Sequence, residues 1–271
     1  KTAMCRQLIK SFTENYIEKL FYFCLKKTGN EPVIFEKENS LGGQFVLAGA
    51  APGKSDFGYA AAKAAANVTD QGIEVHLNTE VTPGMIEEMH PDAVIISAGS
   101  VPIVPDIKGS GNEIVIKSHT LLEGREISGK TAVVIGGGLV GFECAEYLAD
   151  KGIQADILEM KHEVLTELGQ LRKIASQSSL AKLPITVHTD TVCKAIEGNK
   201  VIAQKEGKEI SFQADLVIMA VGTKSTETTA LQEVCQKLGI PAYLVGDAKK
   251  APGMALNAIH DAYHTVLEIN Q

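Results

Sequence analysis

Paired cysteines are missing from this chain. Its five cysteines, Cys5, Cys24, Cys144, Cys193 and Cys235, are scattered through 271 residues with no Cys-x-x-Cys and no tight pair. That argues against a dithiol–disulphide reductase and a cysteine-held metal cluster, and fits reduced, buried thiols in a cytoplasmic protein. Tryptophan is absent and aromatics make up 5% of the chain, a composition that suits α/β architecture. No apolar run reaches the ~18 residues of a membrane helix, and the first residues show no signal-peptide pattern. Residues 17–25 are too few to span a bilayer, so a membrane is not an expected partner. There is no long basic run and the formal charge is −7, which argues against nucleic acid. Among the seven histidines only His260 and His264 share a helical spacing, and no acid or cysteine completes a ligand set, so no metal site is expected. Ser97 and Ser100 have no base at a suggestive spacing, and no G-x-S-x-G elbow occurs. Nucleophilic hydrolysis is unsupported.

What the chain does have is a strong signal between Thr131 and Met160, TAVVIGGGLVGFECAEYLADKGIQADILEM. A buried-strand run, Ala132–Ile135, enters the turn Gly136-Gly137-Gly138-Leu139-Val140-Gly141. A helical pattern from Phe142 to Lys151 follows, then a strand, Ala155–Leu158, that ends on Glu159. Strand, glycine turn, helix, strand and terminal acid in register make a dinucleotide-binding fingerprint. Gly136 allows the tight turn, Gly138 lets backbone N–H groups approach a pyrophosphate, and Gly141 lets helix and strand pack closely. The helix N-terminus adds partial positive charge and free donors. Glu159 is placed for an adenosine ribose and repels a 2′-phosphate, which favours NAD(H) over NADP(H).

Elsewhere strands and helices alternate. Residues 14–27 read as a helix, Pro32–Phe35 as a strand finishing at Glu36-Lys37, and Leu41–Phe45 as a glycine-bearing loop. Residues 56–71 read as a helix, Gly72–Leu77 and Asp92–Ile96 as strands, and Val101–Pro105 as a proline-stiffened crossover at a domain boundary. Lys200–Glu206 and Glu209–Phe212 form a predicted hairpin, followed by strands at Asp215–Ala220 and Ala242–Val245 and a final helix from Met254 to Ile269. Two segments echo each other: Asp92-Ala-Val-Ile-Ile-Ser-Ala-Gly99 and Asp215-Leu-Val-Ile-Met-Ala-Val-Gly222. Each is an apolar strand that stops at a glycine. Phe35-Glu36 and Leu158-Glu159 repeat a second landmark, the acid at a strand end. The duplication implies two nucleotide-binding domains, although either acid could be an ordinary strand-end residue.

Taken together these landmarks resemble the two-dinucleotide flavoproteins, the pyridine-nucleotide oxidoreductases. Phe35-Glu-Lys-Glu-Asn-Ser-Leu-Gly-Gly-Gln44, Pro91–Pro102 and Val245-Gly-Asp-Ala248 are similar to the FAD and NAD module at the C-terminal end of the 2,4-dienoyl-CoA reductase, 2-enoate reductase and trimethylamine dehydrogenase group. The resemblance implies two Rossmann-like three-layer domains, an NAD(H) domain at 105–222 inserted into an FAD domain formed by 1–104 and 223–271. By that likeness Glu36 binds the FAD ribose, Gly43 and Gln44 lie near its pyrophosphate or flavin, and Ala98-Gly99 passes beside it. Asp247, presented after Gly246, bonds the ribityl or pyrophosphate region. Met254 and Ala255 open a helix whose positive end faces the isoalloxazine. Gly222 closes the nicotinamide-nucleotide site, Glu143 sits near the nicotinamide, and Lys37 and Val81 complete the cofactor-binding set.

One departure stands against the family pattern. Residues 1–30 hold a single glycine, Gly29, so the first strand and phosphate loop of the FAD domain are expected to be missing. The chain also opens at Lys1 rather than Met, as a fragment or processed product would. The expected activity is hydride transfer from NADH to FAD, with electrons passed to a flavin or iron–sulphur domain, a subunit or a small acceptor. The alternative is a non-catalytic ADP- or NAD-binding module of a larger oxidoreductase.

Overall fold

Strands that read as continuous apolar runs, Pro32–Phe35 and Ala93–Ile96 among them, must be covered on both faces, and parallel sheets provide that. The computed structural model describes residues 6–11, 25, 26 and 28–270. The chain divides into two compact units, one made of Lys1–Gly49, Asp56–Val101 and Thr223–Gln271, the other of Ala50–Ser55 and Pro102–Gly222. The strands in chain order are β1 (Arg6–Ser11), β2 (Glu31–Phe35), β3 (Glu74–His76), β4 (Ala93–Ser97), β5 (Ser100–Pro102), β6 (Val115–Lys117), β7 (Thr131–Ile135) and β8 (Gln154–Leu158). They continue as β9 (Ile185–His188), β10 (Thr191–Glu197), β11 (Lys200–Lys205), β12 (Lys208–Gln213), β13 (Leu216–Met219), β14 (Thr223–Ser225) and β15 (Ala242–Leu244).

The first unit holds a parallel sheet in the order β15-β4-β1-β2-β3. Alternate residues of each strand face opposite sides. Phe35, Val94 and Ile96 therefore join a core with Ile86, Leu231, Val234 and Cys235, beneath the helices Pro83–Met89 and Thr229–Leu238. Ile34 and Ile95 join the opposite core with Val68, Ala262 and Val266, from the helices Ser55–Asp70 and Ala255–Ile269. The result is helix, sheet, helix. Glu87 and Glu88 are exposed on Pro83–Met89, as their position on a helix suggests.

The second unit repeats the sheet, in the order β6-β13-β7-β8-β9, again all parallel. The helix Leu139–Asp150 covers one face, packed on β7, β8 and β13. The other face carries Val133, Ile135, Leu158, Val217 and Met219, buried against Cys193, Ile196, Val201 and Ala203 of the antiparallel sheet β10-β11-β12. Its third layer is thus a β-meander. Among the described residues no helix is long and apolar enough to cross a membrane.

Four boundaries differ from expectation. The strand expected to be missing is present as β1, paired on both sides by β2 and β4. RQLIKS is marked by neither a long apolar run nor a following glycine turn, and its pairing partners decide its state. The phosphate loop that would follow, and most of the helix expected at 14–27, lie outside the described residues; Leu25 and Lys26 are helical. The loop expected over 41–45 ends at Gly42 (φ +132°), and Gly43–Ala50 is a helix. The hairpin expected at 200–212 turns at Glu206-Gly207, both with positive φ, and gains a third strand, β10.

Candidate functional site

In both parallel sheets the strand order reverses beside one central strand. In the second unit β7 has β8 on one side and β13 on the other; in the first, β1 has β2 and β4. Ligands of doubly wound sheets bind at the carboxyl ends of the strands at such a point. The sequence puts the glycine turn there in the second unit.

Each glycine of that turn is held open by something different. A Cβ on Gly136 (φ +114°) would lie 2.3 Å from the Ala220 carbonyl oxygen, and one on Gly141 would lie 1.9 Å from the Gly136 carbonyl oxygen. At Gly137 it would meet Glu159 Cβ and Val164 Cγ1, both at 2.8 Å. Gly138 is the helix N-cap, with no side chain to close the first turn, so the first N–H groups of the helix lack an internal partner. Leu139 is half-buried and Val140 exposed in that first turn, which already belongs to the helix Leu139–Asp150.

Glu159 stands where expected, at the end of β8, and is buried. Its carboxylate accepts the Gly137 N–H at 2.7 Å and the Lys161 N–H at 2.8 Å. A carboxylate oxygen has more than one acceptor direction, so neither bond exhausts it. Gly222 (φ +104°) follows β13, and its carbonyl accepts the Ile103 N–H at 2.9 Å. A Cβ there would meet nothing within 4 Å, so this turn borders open space. Glu143 is buried on the glycine-turn helix and forms an ion pair with Lys54. Glu146, one turn on, has its carboxyl raised by burial first; Lys54 opposes and Glu143 adds to the rise. Lys54 was not visible as a site residue, because its partner lies 89 residues away.

In the first unit Glu36 is buried at the end of β2 and accepts the Glu38 N–H at 2.9 Å. Lys37 is exposed beside it, 3.5 Å from the Glu38 carboxylate. Gln44, Ser100 and Asp247 come from three distant parts of the sequence and form one hydrogen-bonded chain. Gln44 Nε2 donates to Ser100 Oγ at 2.9 Å, and Ser100 Oγ donates to Asp247 Oδ2 at 2.7 Å. The Gly253 N–H fixes the other carboxylate oxygen at 2.8 Å. Gly43 opens the helix that carries Gln44. Ala98 is buried, and its carbonyl accepts Thr226 Oγ1 at 2.8 Å; Gly99 (φ +65°) turns the chain immediately after it. Gly246 (φ +59°) brings its turn against the last helix, where a Cβ would stand 2.9 Å from Ala258 Cβ. Met254 caps that helix, its N–H donated to Asn257 Oδ1 at 3.1 Å, and Ala255 begins it.

Val81 sits apart. It is buried in the core with Phe35 and Ile86, so its side chain serves packing and only its backbone could face a nucleotide. Lys249, whose charge could have drawn a phosphate, pairs with Asp261 at 2.6 Å. His260 and His264 are exposed, and among the described residues no group of three potential ligands could hold a metal. Cys144, Cys193 and Cys235 are buried free thiols; burial pushes Cys144 up to about 12 and Cys193 to about 11.

Two parallel α/β units, each with an acid at a strand end beside its reversal point, define a protein built to hold dinucleotides. The family model of the pyridine nucleotide-disulphide oxidoreductases matches residues 25–249, and the chain belongs to that family. Among its relatives are an NADH oxidase from Thermoanaerobacter brockii, 32% identical over 90% of this chain and 38% of the relative, and a bilirubin reductase from Mediterraneibacter gnavus, 32% identical over 87% and 36%. A solved 2-naphthoyl-CoA reductase superposes with a TM-score of 0.88 at 26% identity, over 97% of this chain and 39% of that one. The chain therefore spans less than two fifths of these proteins. The family is one of NAD(P)H-dependent flavoprotein oxidoreductases, whose cofactors are NAD(H) and FAD.

Proposed function

We propose that this chain transfers a hydride from NADH to FAD and passes the electrons to another domain, subunit or acceptor, of the kind that reduces an enoate or enoyl thioester. The observation that carries the reading is Gly138. The chain's own backbone closes over Gly136 and Gly141, whereas the space at Gly138 faces only the end of a flexible side chain. That is the cradle a diphosphate needs at an uncapped helix N-terminus. The second unit, 105–222 by the sequence reading, is the NAD(H) domain. Gly136–Gly141 hold its diphosphate, Glu159 its adenosine ribose, and Gly222 and Glu143 border the nicotinamide end.

The residues of the first unit suit FAD. Glu36 would take a ribose as Glu159 would, and Asp247, its carboxylate held by Ser100 and Gly253, would bond the flavin side chain. Ala98-Gly99, Gly43, Gln44, Met254 and Ala255 line the same strand ends. Bound NADH supplies the hydride and bound FAD accepts it; the protein contributes distance, orientation and exclusion of water. Such chemistry needs no acid–base cluster from the protein. Ion pairing with Lys54 keeps Glu143 compensated in its buried position.

The test is calorimetric titration with NADH and NADPH together with the visible spectrum of the purified protein. Saturable NADH binding with flavin bands near stoichiometric occupancy supports the reading. Loss of NADH binding in Gly138→Val, with the fold intact, assigns it to the turn. A colourless protein that still binds NADH supports the second reading, a nucleotide-binding module of a larger oxidoreductase. The glycine-poor stretch from Lys1 to Thr28 favours that alternative.

A further inference from the structure

The space beside Gly138 is bordered by one side chain. The three atoms nearest a Cβ built there all belong to the carboxyl group of Glu167: Oε1 at 2.7 Å, Cδ at 3.7 Å and Oε2 at 3.9 Å. Glu167 is exposed, but the backbone that carries it is not loose. Val164 and Leu165 are buried, Val164 against Gly137, and the Leu165 N–H donates to the Gly137 carbonyl at 2.9 Å. Leu165 takes a φ of +53°, a left-handed conformation rare for a leucine, and Leu168 N–H closes a turn onto the Leu165 carbonyl at 3.1 Å. Glu167 lies inside that turn. The helix it overhangs has no side-chain cap, so its electropositive end attracts an anion.

We propose that Glu167 is a positioning residue of the dinucleotide site that limits its affinity for the reduced coenzyme. Its carboxylate occupies the space that the coenzyme's diphosphate requires and swings out when a dinucleotide binds. The proposal rests on the reading of Gly136–Gly141 as the NAD(H) cradle. The three atoms nearest to a Cβ built on Gly138 all lie at the end of the Glu167 side chain, so a change of its torsions moves them away. A displaced carboxylate on a tethered turn stays close to the diphosphate, and two like charges at that range repel. Affinity for the reduced coenzyme is thereby held below what the glycine turn alone would give.

Calorimetric titration of the intact protein with NADH, in wild type, Glu167→Gln and Glu167→Asp, decides it. The exposed position keeps both substitutions compatible with folding. Glu167→Gln should tighten NADH binding roughly three- to tenfold at low ionic strength, with the gain shrinking as salt screens the exposed charge. Glu167→Asp, which keeps the charge, should stay within about twofold of wild type at the same ionic strength. Equal NADH affinity in wild type and Glu167→Gln overturns the proposal while leaving the cradle standing. Absence of NADH binding in both overturns the proposal and the cradle together.

Discussion

The two strand-end acids sit in the same backbone frame. Glu36 donates its N–H to the His76 carbonyl and accepts the Thr79 N–H, each at 2.8 Å; Glu159 donates to the His188 carbonyl and accepts the Thr191 N–H, each at 2.9 Å. Each carboxylate also accepts the N–H two residues on, from Glu38 at 2.9 Å and Lys161 at 2.8 Å. In the second unit the acid additionally grips the glycine turn through the Gly137 N–H. In the first, the corresponding stretch after β1 lies outside the described residues, and its sequence has no glycine before Gly29. The frame that holds an acid at the strand end is therefore a property of the parallel sheet. The glycine turn is a separate device, and in the proposed reading it is the one that takes the diphosphate.

The sharpest way to break this comparison is inside the turn. Gly141→Ala would drive a methyl group into the Gly136 carbonyl oxygen, which cannot yield without moving the helix. A loss of about 3 kcal/mol, seen as a fall of roughly 5–10 °C in melting temperature, is expected. Gly138→Ala asks only Glu167 to move, and a φ of −80° suits any residue, so its melting temperature should stay near wild type. Its NADH affinity should nevertheless fall by about tenfold or more, since a methyl group fills the phosphate space. Equal melting temperatures for the two variants would mean the turn is not packed as described.

The acids allow a finer separation. Glu159→Gln removes the charge that disfavours a 2′-phosphate and sets an amide against one of the two N–H donors it now accepts. NADH affinity should drop by about tenfold, the size of one charge-assisted hydrogen bond, and the preference for NADH over NADPH should shrink with it. Glu36→Gln should leave the NADH-to-NADPH ratio where it was and reduce flavin occupancy instead. If both substitutions moved the ratio alike, the two strand ends would not serve different nucleotides.

These sites differ in how much of them the sequence displays. The second unit's fingerprint is local: glycines, an apolar strand and an acid fall within thirty residues, Thr131 to Met160, and their register alone states the chemistry. Strand β1 is invisible in RQLIKS because its central place comes from β2 and β4. Ser100 reads as an idle serine until the fold brings Asp247, 147 residues away, to its hydroxyl. Glu167 reads as one more surface acid, since only the turn at Leu165 aims it at Gly138. The loop expected over Leu41–Phe45 shows the converse error: adjacent glycines suggest irregular chain, but Gly42 (φ +132°) and Gly43 (φ +35°) make the turn and the helix claims the rest.

The mildest test uses the duplicated strands that begin at Asp92 and Asp215. Asp215 ties the start of β13 to the start of β7: Oδ2 accepts the Lys130 N–H at 2.7 Å, the Thr131 N–H at 3.1 Å and Thr131 Oγ1 at 3.2 Å. The backbone bond from Lys130 leads, with Thr131 next, in holding its carboxyl below the ordinary value of 3.8. A carboxyl whose folded value is depressed stabilises the fold above its unfolded value, and that stability is lost as pH falls through the folded one. Asp215→Asn should therefore lower the melting temperature by a small, constant amount from about pH 5 to pH 8, and the gap to wild type should close below about pH 4. Because backbone hydrogen bonds dominate over charge pairing, added salt should change the gap little. A gap that persisted undiminished at low pH would show that the side chain's shape, rather than its ionised oxygens, secures the strand that ends at Gly222.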